Sequence, residues 1–364
     1  MDIRRIADGE VWDRLVLGFP NADPRQSYAW GEVRRTLGWA PFRFSAFADG
    51  QCVAALSVSR RCFSGVGALV YAPRGPIMDF EGDRGWTALR PLVEAAADAA
   101  DASFVRVSPA LPHDRVDVLS RFVANGFVAV SDFWPMWNTP RNVMTLDVSG
   151  SETELLGRMA KRRRRHIATA AEHDVSVELR NDLDALSSFY TLQTQHAGRL
   201  GYPVRDWAYY AALHGNFAPS DGFAVIFGRV RDELVCAVLA VRFGPITSSL
   251  YAPSRPALRG TPAGEAVHWA LIRWARQAGC RVIDFGCSGT HMPPRRTEVH
   301  YGLYQFKSEL GCRLELNVPY QDYVRTPLRY RMARALEQRV LPRARPWLAR
   351  VPAPLRTAIA RRTG

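Results

Sequence analysis

The chain has 364 residues, 47% apolar and 23% charged, which suits a soluble globular protein of two domains with a sizeable core. No apolar run nears the roughly 18 residues that cross a bilayer, and the opening Met1-Asp2-Ile3-Arg4-Arg5-Ile6-Ala7-Asp8 lacks an h-region, so secretion is not expected. Forty-eight Lys and Arg against 35 Asp and Glu give a net charge of +13, pointing to a polyanionic partner: nucleic acid, a phosphorylated metabolite or an anionic membrane surface.

In chain order, an amphipathic helix is predicted over Asp8–Leu17, and a second over Gln26–Arg35 with Tyr28, Trp30, Val33 and Leu37 as its apolar stripe. Strands are expected at Phe42–Phe47 and Val53–Val58, then on both sides of Pro73-Arg74-Gly75-Pro76. A helix (Trp86–Ala99), a strand (Phe104–Val107), a helix (Val116–Ala124) and a strand (Phe127–Val130) follow. Asn138–Arg141 reads as a turn into a strand at Val143–Val148. Ser151 with Glu154 is a capping box, so a helix should begin there and run into Arg158-Met159-Ala160-Lys161-Arg162-Arg163-Arg164-Arg165-His166. Charge covers almost the whole circumference of such a helix. A solvated face and a phosphate-backbone contact are the two readings.

Helices at Asp184–Arg199 and Asp206–Phe217 come next, then strands at Phe223–Val230, Leu234–Phe243 and Ile246–Tyr251, a helix at 264–278 and a strand at Arg281–Phe285. A Gly-, Pro- and Arg-rich loop over 286–298 leads to Tyr301–Lys307. Beyond Tyr323 the tail has one carboxylate, Glu337, and Pro342, Pro346, Pro352 and Pro354 break it into short helices. It is either a solvated end or a docking segment for an anionic surface.

The chain repeats itself. Leu69-Val70-Tyr71-Ala72-Pro73-Arg74 returns as Leu250-Tyr251-Ala252-Pro253-Ser254-Arg255, with Tyr71 and Tyr251 251 − 71 = 180 residues apart. Ala48–Leu56 has a partner in Arg231–Leu239, and a helix and a short strand follow each copy. Two copies at so long a period indicate a duplicated domain. Two similar α+β lobes are therefore expected, with a cleft where they meet: residues 1–150, residues 151–322 and a basic tail over 323–364.

No nucleophile elbow, phosphate-binding Walker loop, paired catalytic carboxylates or metal-ligand cluster is present. The six cysteines lack Cys-x-x-Cys spacing and read as reduced thiols in a cytosolic protein. What remains is a set of Tyr, Arg and Lys near strand ends, suited to holding phosphates and to group transfer between two bound substrates.

Six motifs carry a family resemblance: Gln26-Ser27-x-x-Trp30-x-x-Val33-Arg34, Tyr-Ala-Pro-Arg-Gly-Pro at 71–76, the basic run 161–165, Arg205-x-x-x-Tyr209, Tyr251-Ala252-x-Ser254 and Leu303-Tyr304-x-Phe306-Lys307. Together, over residues 20 to 330, they resemble the Fem family, which moves an amino acid from aminoacyl-tRNA onto a peptidoglycan precursor. The resemblance implies two tandem lobes of the GNAT acyltransferase fold, with no room between Phe217 and Gly222 for the helical arm of some members. It implies a first lobe that binds acceptor and a second that binds donor and carries catalysis. Arg34 and Arg205 would meet the acceptor's diphosphate, with Tyr209, Tyr251 and Arg74 lining its site. Lys307 in Phe306-Lys307 would stabilise the oxyanion near the tRNA end, and Lys161, Arg162, Arg163, Arg164 and Arg165 would hold tRNA.

One departure is plain: the family often has Arg-x-Asp-Pro where this chain has Arg106-Val107-Ser108-Pro109, so contact through Ser108 must differ. No cofactor beyond aminoacyl-tRNA as co-substrate, no metal, a monomeric state and a cytoplasmic place at the inner membrane face complete the expectation. A basic RNA-binding module without catalysis, suggested by residues 158–166, is an alternative of another class, and two rival enzymes stand beside it. One is an acyl-CoA N-acyltransferase, weakened because Pro262 in Arg259-Gly260-Thr261-Pro262-Ala263-Gly264 removes an N–H from the pyrophosphate-binding turn. The other is a tRNA-dependent amide-forming enzyme of natural-product biosynthesis.

Overall fold

The computed structural model describes residues 1–63, 67–130, 140–258, 260–287, 294–298 and 301–340. Two compact units divide the chain. The first comprises 1–21, 25–139 and 317–364, the second 22–24 and 140–316.

The chain begins with β1 (Asp2–Arg5), α1 (Gly9–Leu17), α2 (Tyr28–Arg35), β2 (Ala40–Ala48), β3 (Gln51–Phe63), β4 (Gly67–Arg74) and β5 (Ile77–Met78). It goes on through α3 (Arg84–Ala99), β6 (Phe104–Pro109), α4 (Val116–Ala124) and β7 (Phe127–Val130). Asp8 and Ser27 cap α1 and α2 through their side chains. The second unit follows with β8 (Asn142–Asp147), α5 (Glu152–Arg158), α6 (Lys161–Ala168), β9 (Val175–Arg180), α7 (Leu183–Leu200) and α8 (Trp207–Phe217). It continues through β10 (Phe223–Val230), β11 (Glu233–Phe243), β12 (Ile246–Tyr251), α9 (Ala263–Gln277), β13 (Val282–Asp284), α10 (Tyr301–Glu309) and β14 (Arg313–Leu316). The chain then returns to the first unit as β15 (Tyr320–Val324) and α11 (Pro327–Ala335).

The expected duplication is present along the main path of each sheet, with β5 on β3 as an addition in the first. The first sheet runs β1-β2-β3-β4-β6-β15-β7, the second β9-β10-β11-β12-β13-β8-β14 in matching positions. Even the irregularities repeat. The hairpin β2–β3 turns through Asp49 and Gly50 and has a bulge at Ala46/Phe47. The hairpin β10–β11 turns through Arg231 and Asp232 and has its bulge at Gly228/Arg229. All four turn residues have positive φ, the geometry that matches the twist of paired strands. In each sheet one helix, α3 or α9, packs its apolar stripe on the central strands, and Trp86, Leu89, Leu92 and Val93 or Val267, Leu271 and Ile272 form the core there. Between Phe217 and Gly222 the chain makes only a short 3₁₀ turn, as the compact architecture requires.

The boundaries at 150 and 322 are corrected. The sixth position in each sheet is filled by a strand from the other's stretch of sequence: β8 joins β13 and β14, and β15 joins β6 and β7. The tail boundary at 323 also moves. α11 belongs to the first unit, where Ala333 and Tyr330 pack with Trp39, Leu69, Tyr71 and Phe104. Arg106, fully buried, ties this segment down, its guanidinium donating at 2.7 Å to each Asp322 carboxylate oxygen and at 2.6 Å to Glu337. The helix expected through 151–166 is broken as well. Met159 turns extended (ψ 152°) with its side chain in the core, and Ala160 N–H donates to Glu309 O at 2.8 Å, so α5 and α6 are separate.

Candidate active site at the ends of the parallel strand pairs

Each sheet contains a parallel pair, β4 with β6 and β12 with β13. The carboxyl ends of parallel strands are where α/β folds place ligands, because their loops diverge there. Arg74 and Ser108 lie at the first of these places, and Tyr251, with Tyr209 and Arg205 beside it, and Lys307 lie at the second.

In the first unit, β4 ends in Tyr71-Ala72-Pro73-Arg74 alongside Ser108 at the end of β6. Tyr71 OH and Ser108 Oγ are 2.8 Å apart, and Arg74 N–H donates to the same Oγ at 3.2 Å. Ser108 is thus a buried brace for the loop. Gln26, fully buried, fixes it from the other side: its amide donates to Pro73 O (2.7 Å) and Ser57 O (3.1 Å) and accepts from Ser57 N–H (2.8 Å). Only glycine fits at 75, since a Cβ there would lie 2.9 Å from the Gln26 amide nitrogen. Gln26-Ser27 therefore reads as loop anchor and helix cap. Arg34 is buried on α2 with its guanidinium 4.2 Å above the Trp39 ring.

In the second unit, Arg205, Tyr209 and Tyr251 come together. The Arg205 guanidinium lies 5.0 Å from the Tyr209 ring, and the rings of Tyr209 and Tyr251 are edge to face at 6.5 Å. Tyr210, which sequence reasoning passed over, joins them, 5.4 Å from Tyr209 and 5.3 Å from Tyr251. Its hydroxyl is buried without a hydrogen-bond partner among the described residues, and Tyr190 and Trp207 extend the aromatic wall. Burial pushes the Tyr209 and Tyr210 hydroxyls well above the ordinary phenol value, so both are neutral. An arginine on an aromatic wall with neutral hydroxyls suits a phosphorylated or polar ligand.

Off the end of β13 lies Lys307. Its helix α10 buries it, and the amine donates to Phe285 O at 2.6 Å and to Cys287 O at 3.2 Å. An ammonium has three donors, so among the described residues one remains beyond these two. Burial lowers its pKa from 10.5 to about 8, with Cys312, Asp284 and Cys287 pulling the other way.

Phe306 packs its ring 5.0 Å from His268, edge to face. His268 also stacks on Phe285 at 5.9 Å, and its Nδ1 lies 2.7 Å from Gly264 O. A neutral imidazole donating there keeps Nε2 as acceptor. Burial, and the Lys307 charge, lower the pKa of His268. Its only sequence signal was a lone histidine on an otherwise apolar helix stripe, which fits a core residue equally well.

The basic run divides. Arg163 faces inward, bonded to Glu265 and, at 2.9 Å, to Glu309, with its guanidinium 4.7 Å from the Phe306 ring. His166 Nδ1 joins Glu265 at 2.8 Å. Burial by itself would raise the Glu265 carboxyl, but these partners hold it below its usual value. Arg163 is therefore a clasp joining α6, α9 and α10, which corrects its expected tRNA role. Lys161, Arg162 and Arg165 are exposed and Arg164 half-buried, an outward cationic face.

A groove of about 410 Å³ borders the start of α9 through Gly260 and Thr261, but Glu172, Asp174 and Glu233 line it. Arg231 also lines it and pairs with Asp174 at 3.1 Å, so its three carboxylates outnumber its one arginine, a poor lining for a pyrophosphate. Arg259 of the turn lies outside the described residues, as do Asn138 and Thr139 of the predicted turn and part of the 286–298 loop. Among the described residues no group of three or more His, Cys, Asp or Glu has metal-holding geometry, and no helix is long and apolar enough to cross a membrane.

Residues 157–307 match the model of the acetyltransferase (GNAT) domain. No curated protein matches the chain. Among solved structures, FemX is similar with a TM-score of 0.83 at 20% identity, over 93% of this chain and 100% of that one. A tandem GNAT protein from the clavulanic acid biosynthesis pathway gives 0.51 at 10% identity, over 90% and 99%. A conserved protein of unknown function from Bacteroides thetaiotaomicron gives 0.54 at 13%, over 88% and 98%. These likenesses agree with two sheets built on one strand plan, each with a parallel pair at its centre. The match over residues 157–307 marks the chain as an acyltransferase, and its tandem α+β fold is similar to that of FemX.

Proposed function

We propose that this protein transfers an amino acid from aminoacyl-tRNA to the amine of a peptidoglycan precursor, lipid II or the soluble UDP-MurNAc-peptide, at the inner face of the plasma membrane. The observation that carries the reading is Lys307, a buried lysine with a donor left over among the described residues, at the end of the parallel pair in the stretch that matches the GNAT domain. The likeness to FemX supports the substrate class.

The reaction asks little of the protein. The acceptor nitrogen attacks the ester carbonyl carbon; the C–N bond forms, the carbonyl oxygen becomes an oxyanion, and the C–O bond to the tRNA ribose then breaks. Holding both substrates in attack geometry is worth roughly 7–11 kcal/mol. Lys307 as the cation at the oxyanion contributes about 3–4 kcal/mol more. The proton shed by nitrogen passes to His268 Nε2 and returns to the ribose oxygen. Arg205 with Tyr209 and Tyr251 holds the acceptor's diphosphate end, and Arg34 and Arg74 supply charge in the first unit. Lys161, Arg162, Arg164 and Arg165 meet tRNA phosphates. No cofactor and no second copy enter this scheme.

The deciding experiment incubates the protein with labelled aminoacyl-tRNAs and precursor, with and without ribonuclease. Label on the precursor only with intact tRNA is expected; label that survives ribonuclease overturns the reading. The GNAT match also favours a second reading, an acyl-CoA N-acyltransferase. Calorimetry with acetyl-CoA separates the two, since micromolar binding supports the second.

A further inference from the structure

We infer that α11 is a docking helix that sets the first unit on an anionic lipid surface. Its inner side is occupied. Tyr330 packs edge to face on Phe104 at 5.2 Å and donates its hydroxyl to Asp322 at 3.0 Å, Ala333 is buried, and Glu337 just beyond bonds Arg106. The outer side is unlike an ordinary solvated face. Leu328 and Met332, one helical turn apart, are 70% and 60% exposed. At 100° per residue, Arg329 and Arg331 fall on either side of that apolar pair, and both are exposed. Arg325, just before the helix, is exposed too and pairs with Asp98 at 2.7 Å.

Apolar side chains flanked by arginines are the pattern of a helix lying in a bilayer interface: the apolar pair enters the acyl boundary and the long guanidinium stems reach back to lipid phosphates. Sequence continues the theme, since residues 341–364 carry six arginines, Trp347, Leu348 and Leu355 but no carboxylate. Each arginine near an anionic leaflet adds attraction. RNA would use the arginines but gain nothing from Leu328 and Met332, so the exposed apolar pair favours lipid. The inference does not rest on the proposed chemistry, because a docked protein can act on any substrate.

The test is co-sedimentation of the full chain with vesicles of phosphatidylglycerol and phosphatidylcholine against vesicles of phosphatidylcholine alone. Wild type is expected on the anionic vesicles only. Leu328→Asp with Met332→Asp, and separately Arg329→Gln with Arg331→Gln, should each weaken partitioning by roughly tenfold or more. Circular dichroism confirms the fold in each variant, and binding of bare tRNA should stay unchanged. Failure of wild type to bind anionic vesicles, or binding undiminished by the apolar pair of substitutions, overturns the inference. So does loss of tRNA binding in the arginine pair with vesicle binding intact, which would make the face an RNA contact.

Discussion

At the scale of single residues, the proposed chemistry turns on two titrating groups with opposite requirements. Lys307 must be charged, and its pKa is lowered to about 8. A depressed lysine is charged below its folded pKa, so activity should fall as pH rises through about 8. His268 must be neutral to accept a proton, and burial moves its pKa below the ordinary imidazole value of about 6.5. The acid limb of kcat/KM should therefore lie below that value. A bell with an alkaline limb near 8 is the expected profile, and a rate still rising above pH 9 would remove the ammonium from the mechanism. Lys307→Met should lose about 10²–10³ in kcat with the fold intact by circular dichroism. His268→Asn should lose about 10²-fold or more and flatten the acid limb; an unchanged profile excludes it as proton acceptor.

Much of this was legible beforehand, and the reasons differ residue by residue. Lys307 stood out as one of two lysines in an arginine-writing chain, and Tyr71 and Tyr251 stood out because the repeat marks them. Ser108 was legible as a departure, yet its use as a brace for Tyr71 and Arg74 depends on the strand pairing of β4 with β6. Nothing local marked His268, whose meaning comes from Phe285 and Phe306 brought to it by other elements.

At the scale of elements, the clasp between helices makes a sharp contrast within one basic run. Arg163→Ala leaves Glu265 buried without its main counter-charge, and breaking such a buried pair costs about 3–5 kcal/mol. Arg165→Ala, on the exposed face, should change stability by less than about 0.5 kcal/mol while weakening tRNA binding and reducing its salt dependence. Chemical denaturation of both variants checks the difference, and equal costs would deny the clasp. Sequence periodicity could not separate these neighbours, because the break at Met159-Ala160 resets which side of α6 faces in. The two hairpins offer a second contrast. The first turns on Asp49-Gly50 and the second on Arg231-Asp232, all with positive φ. Asp232→Gly, which restores the first copy's chemistry, should stabilise the protein by about 0.5–1 kcal/mol. A loss of stability would mean the turn is held by more than backbone preference.

For the whole molecule, duplication was readable and its boundaries were not. Strand patterns repeat locally, so the hairpins, α3 and α9 could be matched by eye. Partner choice is not local. The alternation in Val143–Val148 fits either sheet, and the buried Gln321 and Asp322 of β15 gave no apolar signal at all. A single cut at residue 150 therefore does not yield two self-sufficient domains. Each piece made alone should expose the strands that flank its empty sixth position and aggregate, whereas both pieces made together should recover soluble protein. Two well-folded separate pieces would contradict the pairing of β8 and β15.

That reciprocal loan of strands also sets a clock on synthesis. β6 and β7 leave the ribosome early, but the strand that lies between them is encoded at 320–324. At about 5–20 residues per second, the amino-terminal half waits roughly 10–40 s with two unzipped edges before its missing piece is translated. A nascent chain stalled anywhere short of residue 324 should thus be a client for chaperones.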